Sequence, residues 1–152
     1  MRPSVFRRLM NLWPPFLFTG IRCTHISDDF RETEVELRLR WWNRNYVGVH
    51  FGGSLFAMTD PFYMLMVLKN LGRDWVVWDK GAKIDYVAPG RGTVTARFRL
   101  DEARLEEIRA AGADGAKVLP TFRCEITDTA GRLVATVDRT LYVRRKREAS
   151  AA

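Results

Sequence analysis

The sequence is poor in the residues that build metal centres and disulfide scaffolds. Its 152 residues include two cysteines and two histidines. Cys23 and Cys124 lie far apart with no C-x-x-C spacing, which excludes a disulfide framework and a zinc site. They fit a reducing compartment, and a cytoplasmic location is expected. His25 and His50 are not spaced as ligands of one ion, so no metal is expected. No G-x-G-x-x-G follows a strand and no P-loop occurs. "GGSLF", which holds Ser54, lacks the last glycine of a G-x-S-x-G elbow and supports no serine triad. No repeat, low-complexity tract or linker divides the chain, and its length suits one domain over residues 1–152.

A long uninterrupted apolar run is missing too. The least polar stretch, Gly48 to Leu68, is broken by Asp60 and Pro61 and closed by Lys69. A membrane-spanning helix needs about 20 mainly apolar residues, so no stable membrane insertion is expected. Arg2, Arg7 and Arg8 ahead of apolar residues superficially resemble a signal peptide. Asn11 and the Pro14–Pro15 pair interrupt the pattern, and no small-residue cleavage site follows. Val5, Phe6, Leu9, Met10 and Trp13 instead fit one face of a short helix that the prolines end, giving a helix and Pro-rich turn over residues 1–20.

The net charge of +7 is carried by the ends. Met1 to Arg22 holds four arginines and no acid; Arg144 to Ala152 holds four basic residues and one acid. The body between them is neutral, without the basic excess of a nucleic-acid-binding face. The C-terminal run, residues 144–152, reads as a solvated basic tail.

What the chain does have is alternation. In "TEVELRLRW", Val35, Leu37, Leu39 and Trp41 alternate with charged residues, and in "TVTARFRL" Val94, Ala96, Phe98 and Leu100 share one face. "GIRCTHISDDF" is a further extended segment, and "DWVVWDKGAKIDYVAP" is a long strand that bends or bulges near Gly81. "LPTFRCEI" and "RLVATVDRTLYV" make a hairpin through "TDTAG", and Asp101 to Ala111 reads as a short amphipathic helix. An apolar helix from about Gly53 to Leu71 ends at Gly72. One such helix among about five or six mostly antiparallel strands predicts an α+β fold, a strongly curved sheet wrapped around the helix. The helix side that one sheet leaves bare would be covered by a second subunit.

Asp60 is the anomaly within that helix, because an ionised carboxylate is costly to bury without partners. Before proline, it fits an N-cap for a helix starting at Pro61. It equally fits a functional acid, with Pro61 kinking a continuous helix beside it. Gly52–Gly53 read as a tight turn before a helix capped by Ser54, or as a place where a ligand meets the backbone.

"AKIDYVAPGRGTVTARFRL" resembles the strands that follow the helix in hot-dog thioesterases. "NYVGVHFGGSLFAMTD" resembles the active-site segment of the phenylacetyl-CoA thioesterase type, in which an acid follows the glycines after six residues, as Asp60 follows Gly52–Gly53. The whole chain is also similar to a thioesterase-like subfamily that shares the wording "FGGSLFAMTDPF". Phe51 separates His50 from the glycines, so the His-Gly-Gly of that type is interrupted.

The resemblance implies a hot-dog fold with an extra N-terminal helix, assembled as a homodimer or dimer of dimers. It implies hydrolysis of an acyl-CoA or acyl-carrier thioester, with coenzyme A entering as part of the substrate and no separate cofactor. Asp60 would be general base or nucleophile, and the Gly53 N–H, at the positive end of a helix, the oxyanion donor. Asn45 would position substrate or water, with Gly52, His50, Ser54 and Thr59 near the substrate. Turn formation by Asn45, a loop role for His50 and packing by Thr59 are the structural alternatives. Gly53 and Asp60, seven residues apart, would be separated by roughly 10 Å along a straight helix, so one site would take them from two subunits. A non-catalytic acyl-ligand module and a hot-dog dehydratase remain the alternative functions.

Overall fold

A computed structural model describes residues 2–146. Two short helices come first, α1 (Pro3–Leu12) and α2 (Pro14–Thr19), then strands β1 (Ile21–Ile26) and β2 (Glu32–Arg38). Helices α3 (Gly52–Ala57) and α4 (Phe62–Leu71) follow a loop. Next come β3 (Trp75–Tyr86), β4 (Thr93–Arg99), α5 (Glu102–Ala111), β5 (Thr121–Asp128) and β6 (Leu133–Arg145). The strands form one antiparallel sheet in the order β1-β2-β4-β5-β6-β3, curved around the long helical segment α3–α4. This is the α+β hot-dog fold that the strand count and the resemblance imply.

Period-two alternation sets the inner face. Val35 pairs with Ala96 and Leu37 with Val94, and all four are fully buried. Phe98, Leu100, Cys124, Ile126, Val137, Leu141 and Val143 continue that face. Leu55, Met58, Phe62, Met66 and Val67 from α3–α4 pack into it. Rings of Phe16, Phe62, Phe98, Tyr63 and Phe122 form a chain with centroids 4.7–5.8 Å apart, where aromatic pairs add to area burial. Tyr63 keeps its hydroxyl satisfied by donating to the Arg123 carbonyl at 2.9 Å. Both cysteines are free and buried, and desolvation pushes each thiol up to about 12, so they stay protonated.

The two sheet edges are treated differently. On β1, Asn11 Oδ1 accepts from the Cys23 N–H at 2.7 Å and its Nδ2 donates to the Cys23 carbonyl at 3.0 Å. Arg7 donates to the Thr24 carbonyl at 3.0 Å, so α1 covers this edge with side-chain hydrogen bonds. The β3 edge pairs only with β6, and its bulge falls between Asp79 and Gly81, where the glycine suggests it.

Three expectations are corrected. The central helix is not continuous: residues 58–61 interrupt it, because Pro61 has no N–H to give a preceding turn. The Pro14–Pro15 pair is more than a turn; it starts α2, since proline is pre-organised for a helix's first positions. Arg144 and Arg145 are not tail. They pair with Val76 and Trp75 in β6–β3, and Arg144 Nε donates to the Gly115 carbonyl at 2.9 Å. The Lys146 N–H donates to the Asp74 carbonyl at 2.7 Å, and the remainder of the expected tail, 147–152, lies outside the described residues. Deleting Arg144 onward should therefore lower the melting temperature by several degrees, about what a loss of 1–2 kcal/mol gives. Differential scanning calorimetry of the truncated chain checks this.

Candidate active site

The loop before α3 is held from both sides. Asn45 accepts the Val49 N–H on Oδ1 at 3.1 Å, and its own N–H donates to the Val49 carbonyl at 2.8 Å. Asn45 Nδ2 donates to the His50 carbonyl at 3.5 Å, so its side chain closes the turn over residues 45–50. The His50 N–H donates to the Gly90 carbonyl at 3.0 Å, and Nε2 lies 3.0 Å from the Gly92 carbonyl, fixing Nε2 as the protonated nitrogen. Nδ1 is buried with no partner. Burial outweighs the Gly92 hydrogen bond and lowers the His50 pKa from its ordinary value of 6.5.

This loop delivers the chain to the first turn of α3, whose N-cap is Phe51. The Phe51 carbonyl accepts from the N–H groups of Ser54 at 3.0 Å and Leu55 at 3.2 Å. The Gly52 and Gly53 N–H groups therefore come before the first intrahelical bond and have no backbone acceptor. Ser54 does not cap the helix as expected; it lies inside the first turn, buried, and no side-chain cap bond forms. Neighbouring side chains come close to both glycines. A Cβ on Gly52 would meet Tyr86 Oη at 2.8 Å, and one on Gly53 would overlap the Phe51 ring. A cavity of about 550 Å³ opens here, lined by Asn45, His50, Gly52, Gly53, Phe51 and Tyr86 among others.

Asp60 is not among the residues lining that cavity. It sits in the break between α3 and α4, and the capping reading is overturned: Pro61 holds the N-cap position of α4 with no side-chain cap bond. Its carboxylate Oδ2 instead accepts from Arg139 Nη1 at 3.1 Å, while 49% of the side chain stays exposed.

Arg139 is the residue that the sequence reading missed. Only 2% exposed, it projects from β6 into the molecule. Its Nη1 donates to Asp79 Oδ1 at 3.4 Å as well, and Nη2 donates to Thr59 Oγ1 at 3.2 Å and to the Phe56 carbonyl at 3.4 Å. The guanidinium lies 5.0 Å from the Phe56 ring centroid. Thr59, fully buried, donates to the Phe56 carbonyl at 2.8 Å and acts on this cluster through Arg139. Burial is the main influence on Asp79 and raises its pKa, Arg139 opposes this, and the Asp60 charge adds to the rise. The available signal was phase: Ala135, Val137, Arg139, Leu141 and Val143 share one strand face, and four of the five are apolar.

Molecules of known structure share this fold. A Pseudomonas aeruginosa protein of unknown function described as a "probable thioesterase" superposes with a TM-score of 0.82 at 17% identity, over 95% of this chain and 97% of that one. A thioesterase from Haemophilus influenzae gives 0.70 at 16% identity, over 99% and 95%. A Chlorobaculum tepidum protein of unknown function gives 0.73 at 15%, over 96% and 98%. These likenesses place the chain in the hot-dog fold. The chain itself belongs to the family described as a domain of unknown function, DUF4442, which matches residues 2–143. No curated protein matches its sequence.

Removing Arg139 should be costly, because Asp79 would be left half-buried without its counter-charge. Breaking a buried pair costs about 3–5 kcal/mol, and the half-exposed Asp60 side puts the expected loss at the lower end. Arg139→Met should thus lower unfolding free energy in urea, and adding Asp79→Asn should restore part of it. His50 gives a pH signature. Its folded pKa lies below the unfolded value, so its contribution is complete above about pH 6.5 and is lost as the pH falls from there through the lower folded pKa. Stability measured by urea unfolding should fall less steeply below pH 6.5 in His50→Gln than in the parent chain.

Proposed function

We propose that this protein hydrolyses an acyl thioester, carried on coenzyme A or on an acyl-carrier protein, in the manner of the phenylacetyl-CoA thioesterase type. The observation that carries the reading is the state of Asp60. It caps nothing, is gripped by a buried arginine, and still offers half of its side chain to solvent. A carboxylate held in this way, with one side open to solvent, can take a proton from water or attack a carbonyl.

The Gly53 N–H is the oxyanion donor, assisted by the backbone of Gly52. Two glycines at the start of a helix let a thioester carbonyl approach N–H groups that precede the first intrahelical bond. The helix dipole lends further stabilisation to the developing negative charge. Asn45 and His50 fix the loop that aims those groups; Asn45 also lines the cavity and orients substrate or water there. Ser54 and Thr59 act from the buried side, Ser54 in the first turn of α3 and Thr59 by holding Arg139.

The site is shared by two subunits. Asp60 lies apart from the cavity that Gly52 and Gly53 line, and a reacting carbonyl needs both within about 3 Å. A homodimer, alone or as a dimer of dimers, supplies Gly53 from one chain and Asp60 from the other. The free β3 edge is the surface suited to that pairing.

Thiol release from a panel of acyl-CoA and acyl-carrier substrates tests the activity. Asp60→Asn keeps shape and should fold normally, with kcat reduced by a hundredfold or more, about the contribution of a positioned acid–base group. Mixing Asp60→Asn with Gly53→Val under subunit exchange should restore part of the activity, because one site of each heterodimer then carries neither lesion. Full turnover by Asp60→Asn sinks the catalytic role. Acyl-CoA binding without turnover by the parent chain would assign a binding module instead.

A further inference from the structure

The apolar stripe of α1 is split between two environments. Phe6 and Met10 pack inward, whereas Val5, Leu9, Leu12 and Trp13, recurring at helical spacing, are exposed. Leu12 is 65% exposed, and α2 adds Leu17 and Phe18, the latter 75% exposed. Beside them stand Trp41 and Trp42, packed edge to face at 5.6 Å, with Trp41 78% exposed. Asn43 joins the two segments rigidly: its Nδ2 donates to the Thr19 carbonyl at 3.0 Å and its Oδ1 accepts from the Arg40 N–H at 2.7 Å. An exposed apolar surface of this extent on a soluble-looking chain marks an interaction site.

Its charge is of one sign. Residues 1–22 contain no acid, and neither do residues 37–59. Arg2, Arg8, Arg38, Arg40 and Arg44 are all exposed, with Arg40 6.0 Å from the Trp42 ring centroid. Two acids border it: Glu36, two residues before Arg38 in β2 and cross-strand from Arg22, and Asp28, which sits by Arg2 at the end of α1 remote from Trp13.

We infer that this face docks on an anionic lipid surface. Tryptophans with apolar bodies and polar edges settle at the boundary between headgroups and acyl chains. Leucine and phenylalanine enter the acyl boundary, while arginines pair with anionic headgroups, each contributing about 1 kcal/mol near the surface. Among the described residues no helix is long and apolar enough to cross a membrane, so the attachment is peripheral. A second copy of the chain is the poorer occupant: a two-fold contact through this face would set its arginines against one another with no acid between them. The inference does not depend on thioester hydrolysis, because it concerns helices and a loop whose role is attachment.

The full chain is tested by sedimentation with vesicles of phosphatidylcholine alone or mixed with phosphatidylglycerol, at low and high salt. Binding to the mixed vesicles, weakened by salt and accompanied by a blue shift of tryptophan emission, is expected. Leu12→Ser combined with Phe18→Ser should reduce that binding about tenfold or more, since two exposed side chains lose their burial. The double variant should keep the parent's melting temperature and its mass by light scattering. Failure of the parent to bind mixed vesicles, or equal binding by the double variant, overturns the inference. So does a lower oligomeric mass in the double variant, which would make the face a contact between copies.

Discussion

A single buried guanidinium organises the interior. Arg139 stands in β6 among apolar neighbours, and its charge could not remain there without acceptors. They come from three separate parts of the chain: Asp60 and Thr59 in the break between α3 and α4, the Phe56 carbonyl at the end of α3, and Asp79 beside the β3 bulge. The helix break and the bulge depart from regular structure, the Phe56 carbonyl comes from the last turn of α3, and all three supply an oxygen to Arg139. The interrupted helix frees the backbone near Thr59, and Asp79, cross-strand from Leu141, lies on the inward side. One cation stands against two carboxylates, and Asp60 is the one of the two with the greater access to solvent.

The remaining functional groups are held by a different set of bonds. Asn45, His50 and the carbonyls of Gly90 and Gly92 lock the entry to α3 without involving Arg139. The carboxylate and the helix-start N–H groups are thus positioned independently. With this division, strain at one group need not disturb the other.

Much of the sheet was legible because a strand with one buried face writes that face at every second residue, as Val94, Ala96, Phe98 and Leu100 do. The bulge was marked by Gly81, and α5 by its short amphipathic run. Asp60 stood out as a lone acid in an apolar segment, yet its choice between cap and site lay with a partner 79 residues away, beyond any local pattern. Arg139 stands as the one charge in the buried phase of β6, and a hairpin assignment by itself does not single out such a position. The end of β6 was misread through composition: four basic residues in a row suggest solvent, but edge pairing with Trp75 and Val76 keeps arginines in a strand when their heads reach water. The second helix was hidden by Pro14–Pro15, which stop one helix and start another.

The unequal edges of the sheet limit how chains can be joined. With β1 sealed by Asn11 and Arg7, a neighbour can add strands only at β3. A chain with one open edge can be extended once, and the edge it offers is then used up. On that geometry, growth by strand addition would end at two molecules, because the N-terminal helix that closes one side blocks a run of chains into a fibre.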